Sequence, residues 1–247
     1  MNIPLWSIIK RGLVTQPESF PDLPQEASGL PMVSQTPCQG MQCRRCMEIC
    51  PMGAITINDR QITLDRGLCL GCGLCYQNCP SETLTQDRST RTAVLAREDL
   101  ILTNQPKPNK PVITRSLPFL RSLHIREVST GDNACDLEAI ASSNPIFDIS
   151  RFGVFYVASP RFADALLVTG PVGKAMQEPL RRCYNAMTEP KIVIAAGVSS
   201  ISGGLFRGGY AEANGVPNIM PVDCFIPGDP PHPWSIIHGI MLAMGKI

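Results

Sequence analysis

Eight of the eleven cysteines fall into two short runs, and each run ends in a Cys-Pro pair. The runs are Cys38, Cys43, Cys46, Cys50 and Cys69, Cys72, Cys75, Cys79. From the second cysteine of the first run onward, each cysteine recurs 29 residues later, so the runs are an internal duplication. Only the front of the first run differs, because four residues rather than two separate its first two cysteines.

The second run reads C-x2-C-x2-C-x3-C-P, the spacing of bacterial two-cluster ferredoxins. In that arrangement each 4Fe–4S cubane takes three thiolates from one tight loop and the fourth from the other run. The spacing therefore predicts two 4Fe–4S clusters, which makes all eight cysteines cofactor-binding and metal-ligating residues. One cluster is assigned to Cys38, Cys43, Cys46, Cys79 and the other to Cys69, Cys72, Cys75, Cys50.

Disulfides and structural zinc are the alternatives for such cysteines. Disulfides need an oxidising compartment, and the sequence shows no signal peptide, so we expect reduced thiols. Zinc sites usually combine paired C-x2-C units across a longer loop rather than a triplet and a distant Cys-Pro. The spacing favours the iron–sulfur clusters, and the longer loop after Cys38 is the one departure from it.

Length and composition narrow the function classes. The 247 residues are enough for two ordinary domains, and 44% hydrophobic residues can supply their cores. A net charge of +1 with 17% charged residues implies no large basic surface, so we expect no nucleic-acid partner. No apolar run reaches eighteen residues, which predicts no membrane-spanning helix.

The chain divides by composition into four parts. Residues 1–36 are predicted to be a docking arm, residues 37–88 the two-cluster module, residues 89–120 a linker and residues 121–247 a second domain. The amphipathic residues 1–11 suit a protein partner, which we favour, or a lipid surface. Short β-prone stretches at 54–57, 61–64 and 83–85 predict an α+β ferredoxin-like module.

The second domain has near-continuous apolar stretches interleaved with helical patterns. Strands are predicted at 123–128, 154–157, 165–169 and 192–196, with a helix between the last two and a final helix at 234–244. This alternation is typical of an α/β fold with a mainly parallel, flavodoxin-like sheet. In such sheets the functional crevice lies beyond the carboxyl ends of the strands.

Motifs of this second domain occur in a family-specific order. They are residues 151–153, 163–172, 189–191, 202–204, 221–223 and 227–233. The set resembles the small electron-transfer subunit of membrane-bound, energy-converting NiFe hydrogenases and the equivalent subunit of respiratory complex I. The cysteine-rich module resembles the two-cluster subunit that neighbours it, so two subunits are fused here.

The resemblance implies an electron-transfer subunit of an oxidoreductase complex, with no catalytic residue of its own. It implies a hydrogenase-like or complex I-like large subunit and membrane subunits as partners, with a soluble ferredoxin as a candidate electron partner. The expected location is peripheral, on the cytoplasmic side of the membrane. The competing hypothesis is a scaffold subunit of a hydrogenase-related complex that lost hydrogen or quinone chemistry and supports ion- or proton-coupled transport.

The resemblance also implies a further 4Fe–4S cluster held by four cysteines in three loops of the second domain. Only Cys135 is present, whereas Asp132, Ser199 and Asp229 occupy the other positions. Carboxylates and hydroxyls prefer hard cations, whereas thiolates hold iron–sulfur clusters, so we expect this cluster to be lost. We expect the four residues still to converge.

Their role is left open between packing against the large subunit, which we favour, and holding a proton or cation. Buried carboxylates need a counter-charge, a proton or water, so Arg207 and His232 are candidate partners. Cys183 and Cys224 are predicted to be core residues, with Cys224 after a strand that ends at residue 223. His124 is expected at a surface and His238 in helix packing.

Overall fold

The computed structural model describes residues 20–105, 119–131 and 134–247. Residues 1–19, most of the predicted linker and the predicted site residue Asp132 lie outside the described residues. The strands are β1 Leu30–Val33, β2 Ile55–Asn58, β3 Gln61–Asp65, β4 Leu84–Asp87, β5 Ile101–Thr103, β6 Leu123–Ser129, β7 Val154–Tyr156, β8 Ala165–Thr169, β9 Ile192–Ala196 and β10 Cys224–Ile226. The helices are α1 Arg45–Glu48, α2 Leu74–Gln77, α3 Cys135–Ala141, α4 Lys174–Ala186, α5 Val198–Ser202 and α6 Pro233–Met244.

The cysteine-rich part is built from two small antiparallel sheets. One has the order β2-β3-β5 and the other pairs β1 with β4. Along β2 and β3 every second side chain is buried, so each strand turns one apolar face to the cysteine core. The single-turn helices α1 and α2 carry Cys46 and Cys75 and contact each other.

Two strands come from segments that the sequence assigns to the arm and the linker. β1 belongs to the predicted arm, and its Val33 pairs with Leu84 of β4. β5 belongs to the predicted linker, and its Thr103 pairs with Thr63 of β3. These described parts of the arm and linker are therefore integral to the two small sheets.

The C-terminal part is a five-stranded, entirely parallel sheet. Its order is β7-β6-β8-β9-β10, which is 2-1-3-4-5 when the strands are counted from β6. This is the flavodoxin-like order, so the predicted mixed α/β fold with a parallel sheet is confirmed. Every residue of β8 and β9 is buried, because α6 packs on one face of the sheet and α4 on the other.

The two parts are packed against each other. Phe20 lies in the core of the C-terminal sheet, with its ring edge-on to Trp234 at a centroid distance of 6.1 Å. The Ser202 hydroxyl donates to the Gly67 carbonyl at 2.7 Å, which joins α5 to the cysteine-rich part. Across the described ranges, no helix has the length and apolar character needed to cross a membrane.

Candidate metal centres and the C-terminal crevice

The eight paired-run cysteines divide into two groups of four. Cys38, Cys43, Cys46 and Cys79 line one hollow, and Cys50, Cys69, Cys72 and Cys75 line another. Each group takes three cysteines from one run and the fourth from the other. This is the partition that the spacing predicts for two cubane clusters. All eleven cysteines lie in the described part of the chain, and none forms a disulfide there.

Burial and neighbouring thiolates raise the pKa of Cys46, Cys69 and Cys75, whereas hydrogen bonds lower the pKa of Cys79. Burial, followed by the charges of the other three group members, raises the pKa of Cys46 to about 11. Burial and neighbouring thiolates likewise raise the pKa of Cys69 to about 11 and of Cys75 to about 12. Four neighbouring thiolates repel one another, so the deprotonated group is stable only with a cationic centre between the sulfurs. An iron–sulfur cluster provides one iron atom for each cysteine sulfur.

A shared turn shapes the first cysteine of each group. The Gly40 N–H donates to Cys38 Sγ at 3.3 Å, and the Gly71 N–H donates to Cys69 Sγ at 3.4 Å. Both glycines have left-handed backbones, with φ of 68° and 72°. The longer loop of the first run contains a short 3-10 helix, Gly40–Gln42, and leaves the turn at Cys38 intact.

Exposure differs within the groups. Cys72 is the one exposed thiol among the eight, whereas Cys38, Cys46, Cys69 and Cys75 are buried. In the described residues, no three His, Cys, Asp or Glu side chains are arranged to hold a single metal ion. Cubane ligands differ from such an arrangement, because each thiolate binds its own iron atom.

The loops at the carboxyl ends of β6, β9 and β10 meet in a crevice. Cys135 opens α3 after β6, and its Sγ contacts Gly197 so closely that a Cβ there would lie 2.4 Å from the sulfur. The Val198 N–H donates to the Gly228 carbonyl at 2.9 Å, which joins the Ser199 and Asp229 loops. The structure thus brings the loops of three predicted site residues together, and the fourth residue, Asp132, lies outside the described residues.

The donors in this crevice do not suit an iron–sulfur cluster. Cys135 is fully buried, and burial followed by the charges of Asp229, Asp136 and Glu138 raises its pKa. Ser199 is also buried, and Asp229 is half-buried with a pKa raised by burial. One neutral thiol with hydroxyl and carboxyl oxygens lacks the soft thiolates that hold such clusters.

Of the two expected partners of the crevice carboxylates, His232 lines the cleft and Arg207 does not. His232 lines the same cleft as Asp229, and its Nδ1 caps α6 by accepting the Trp234 N–H at 3.2 Å. Burial lowers the pKa of His232, which favours its neutral form. The expectation for Arg207 is wrong, because this side chain is exposed and does not line the cleft.

Sequence reasoning missed Glu138, a half-buried carboxylate in the same cleft. Burial raises its pKa. Its position three residues after Cys135 places both on one face of α3, which is the signal that the sequence contains.

Cys183, Cys224 and His238 serve packing, whereas His124 lies near the surface. Cys224 belongs to β10 and is fully buried, with its Sγ donating to the Gly239 carbonyl at 3.3 Å. The strand therefore begins at Cys224, and the prediction that it ends at residue 223 is wrong. Cys183 packs on the core from α4, and His238 packs edge-on against Phe20. His124 is partly exposed and lies 3.2 Å from the Asp164 carboxylate.

Two known families match the two parts of the chain. Residues 38–83 match a 4Fe-4S dicluster domain. Residues 133–243 match the 20 kDa subunit of NADH ubiquinone oxidoreductase. The second match contains Cys135, Ser199 and Asp229.

Curated relatives align over about half of this chain. An uncharacterized protein of Methanocaldococcus jannaschii is 45% identical over 51% of this chain and 85% of its own length. A probable membrane-bound hydrogenase subunit of Pyrococcus furiosus is 44% identical over 51% of this chain and 77% of its own. Formate hydrogenlyase subunit 7 of Escherichia coli is 42% identical over 51% of this chain and 50% of its own.

Proposed function

Because the chain belongs to the family of the 20 kDa subunit of NADH ubiquinone oxidoreductase, we propose that it is the iron–sulfur electron-transfer subunit of a membrane-associated, hydrogenase-related or complex I-related complex. It carries two 4Fe–4S clusters and lacks the further cluster of its C-terminal domain. The large subunit, the membrane subunits and a soluble ferredoxin are its proposed partners. Its place is peripheral, at the cytoplasmic side of the membrane.

The division of eight thiols into two crossed groups of four is the observation that carries this proposal. When bound, each 4Fe–4S cluster accepts and donates one electron at a time. Cys38, Cys43, Cys46 and Cys79 would hold one cluster, and Cys50, Cys69, Cys72 and Cys75 the other. The match of residues 38–83 to a dicluster domain supports the cluster type.

The chain's own groups position and tune the cluster ligands. The backbone N–H groups of Gly40 and Gly71 direct positive dipole ends at Cys38 and Cys69, which would stabilise the added negative charge of a reduced cluster. The Ala54 N–H does the same for Cys50 at 3.4 Å. Gly67, two residues before Cys69, accepts a hydrogen bond from Ser202, so this group lies on the side of the C-terminal domain.

The scaffold alternative is favoured by one specific observation, which is the oxygen donors in the C-terminal crevice. Without a third cluster, electrons have no metal relay between the Cys69 group and a partner that docks on the C-terminal sheet. A scaffold would retain the two clusters for folding or regulation, and the complex would support ion- or proton-coupled transport. The two functions differ in whether the clusters change oxidation state during turnover.

Iron analysis and electron paramagnetic resonance of the intact complex test the proposal. We expect about eight irons per chain and two cluster signals on graded reduction. Cys72→Ser should remove or alter one signal and lower the thermal stability, because ligation and folding are coupled. The matched Cys183→Ser change, on α4, should leave both signals unchanged. Zinc in either group, or iron content unaffected by Cys72→Ser, would contradict the assignment.

A rapid-mixing experiment separates the electron carrier from the scaffold. Clusters that are reduced and reoxidised as fast as the complex turns over indicate electron transfer. Clusters that keep one oxidation state while the complex remains active indicate the scaffold function.

A further inference from the structure

A buried arginine lies directly before the second cysteine run. Arg66 follows β3 and is only 8% exposed, although arginine is rarely buried without a partner. The Cys69 N–H donates to the Arg66 carbonyl at 3.3 Å, so the arginine and the first cysteine of the run share one turn. A fixed positive charge therefore adjoins the Cys69 group, which consists of Cys50, Cys69, Cys72 and Cys75.

Two contacts fix the guanidinium of Arg66. Its Nε–H donates to the Pro31 carbonyl of β1 at 3.0 Å, and an Nη atom forms an ion pair with the Asp87 carboxylate of β4 at 2.6 Å. The two side chains are 9% and 15% exposed, so solvent screens neither charge strongly. These contacts hold the guanidinium in one place relative to the cysteine loop that follows it.

The positive charge acts on one of the two cysteine groups. Burial is the main cause that raises the pKa of Cys69, and the charge of Arg66 opposes it. In the other group, the charges that act on Cys46 are those of the other thiolates. The residue three positions before Cys38 is Gln35, which carries no charge. The duplicated runs therefore differ in the charge placed before their first cysteine.

Resting on the proposed function, we propose that Arg66 is an electrostatic tuning residue that raises the midpoint potential of the cluster held by the Cys69 group, and that Asp87 limits this effect. Reduction adds one negative charge to a cluster, which a buried cation stabilises and a nearby carboxylate destabilises. At about 10 Å and an effective dielectric constant of about 20, one charge changes a one-electron equilibrium roughly tenfold.

The tuned step involves one electron and no proton. The cluster takes the electron from a low-potential one-electron donor and passes it to an acceptor of higher potential. No bond at Arg66 forms or breaks, because a guanidinium keeps its protons in proteins. The contribution of Arg66 to the midpoint potential should therefore not depend on pH.

Redox titration of the intact complex with dithionite, read by electron paramagnetic resonance, tests the proposal. Arg66→Gln should make one cluster about tenfold harder to reduce, a shift of about 59 mV to more negative potential. Asp87→Asn should shift the same signal to more positive potential, because it removes the carboxylate and leaves the guanidinium. Arg66→Lys keeps the charge and should stay near the wild-type potential. Arg182→Gln is the matched control, because it breaks an exposed ion pair on α4 and should change neither signal.

The opposite signs separate an electrostatic role from a structural one. Arg66→Gln and Asp87→Asn break the same ion pair, so a purely structural role would shift the potential in the same direction in both variants, or in neither. Either result overturns the proposal. If Arg66→Gln does not assemble, Asp87→Asn decides, and an unchanged or more negative potential in that variant overturns the proposal.

The signals also separate this proposal from the proposed function. The signal that is lost or altered in Cys72→Ser belongs to the Cys69 group, and a shift confined to the other signal overturns the role of Arg66. Two cluster signals whose potentials are the same in every variant overturn that role alone. Missing cluster signals in the wild-type complex overturn the proposed function.

Discussion

At the scale of single residues, the two groups depend on the cysteines and on two glycines that direct N–H groups at sulfur. The cysteine partition follows from spacing alone, because three thiols in a tight loop cannot complete a cubane. The repeated Cys-x-Gly at residues 38–40 and 69–71 is visible in the sequence, but only the left-handed turns show its purpose. The first run therefore appears irregular at Cys38 when cysteine spacing is compared, although the structure keeps the same turn there as at Cys69.

Glycine substitutions test these turns. Gly71→Ala should lower the free energy of unfolding by about 1–2 kcal/mol, because alanine disfavours a φ of 72°. Space is not the cause, since the added Cβ would lie 3.7 Å from Leu30. Gly40→Ala should cost more, since its Cβ would lie 2.0 Å from the Asp59 carbonyl oxygen. Gly173→Ala is the control, because its Cβ would meet its nearest atom at 3.9 Å, an ordinary van der Waals contact. Thermal unfolding of the cluster-loaded protein measures the ranking, and equal midpoints for all three variants would refute it.

His238 should make stability depend on pH. Burial, followed by the charge of Arg91, lowers its pKa to about 4, whereas an unfolded histidine titrates near 6.5. Between these values the unfolded chain binds more protons than the folded chain, so stability falls as pH falls from about 6.5 to 4. The loss attributable to His238 should reach about 3 kcal/mol. Denaturant unfolding of wild type and His238→Gln at several pH values measures it, and parallel pH profiles would disprove it.

At the scale of elements, short β-prone stretches predict β2, β3 and β4, and near-continuous apolar stretches predict the first four strands of the parallel sheet. The sequence misses β1 and β5, which are only four and three residues long, because their pairing partners lie far away in the chain. Helices α1 and α2 span one turn each, which is too short for a helical period to be seen. Tertiary pairing, rather than local preference, decides such short elements.

The N-terminal segment before β1 should contribute strongly to stability. Phe20 is 6% exposed and packs against Trp234 and His238 of α6. Phe20→Ala should lower the free energy of unfolding by about 3–5 kcal/mol, as expected for removal of a buried phenylalanine. Phe162→Ala is the matched control, because that ring is 75% exposed and should change stability little. Similar unfolding midpoints for both variants would show that the segment does not belong to the C-terminal core.

At the scale of the whole molecule, the sequence predicts the two cysteine groups and the meeting of loops in the C-terminal crevice. The cleft between the two parts could not be predicted, because residues 27–30, 70–71 and 227–232 meet only in the folded chain. Glu138 could not be predicted as a lining residue of this cleft for the same reason. Its spacing from Cys135 indicates a shared face of α3, but the sequence does not show which distant residues cover that face.

The crevice should accept a third cluster if its thiolates are restored. The loops of Ser199 and Asp229 are joined by the Val198–Gly228 hydrogen bond, and Cys135 lies against Gly197, so the framework persists although the ligand chemistry differs. Asp132→Cys, Ser199→Cys and Asp229→Cys together should raise the iron content from about eight to about twelve per chain and add a cluster signal. The same triple change with Cys135→Ala should not, because it leaves only three thiolates. Iron content that stays at the wild-type level would show that the loops no longer hold cluster geometry. Hydrogenase activity should not appear in either variant, because the resemblance assigns the catalytic metal to another chain.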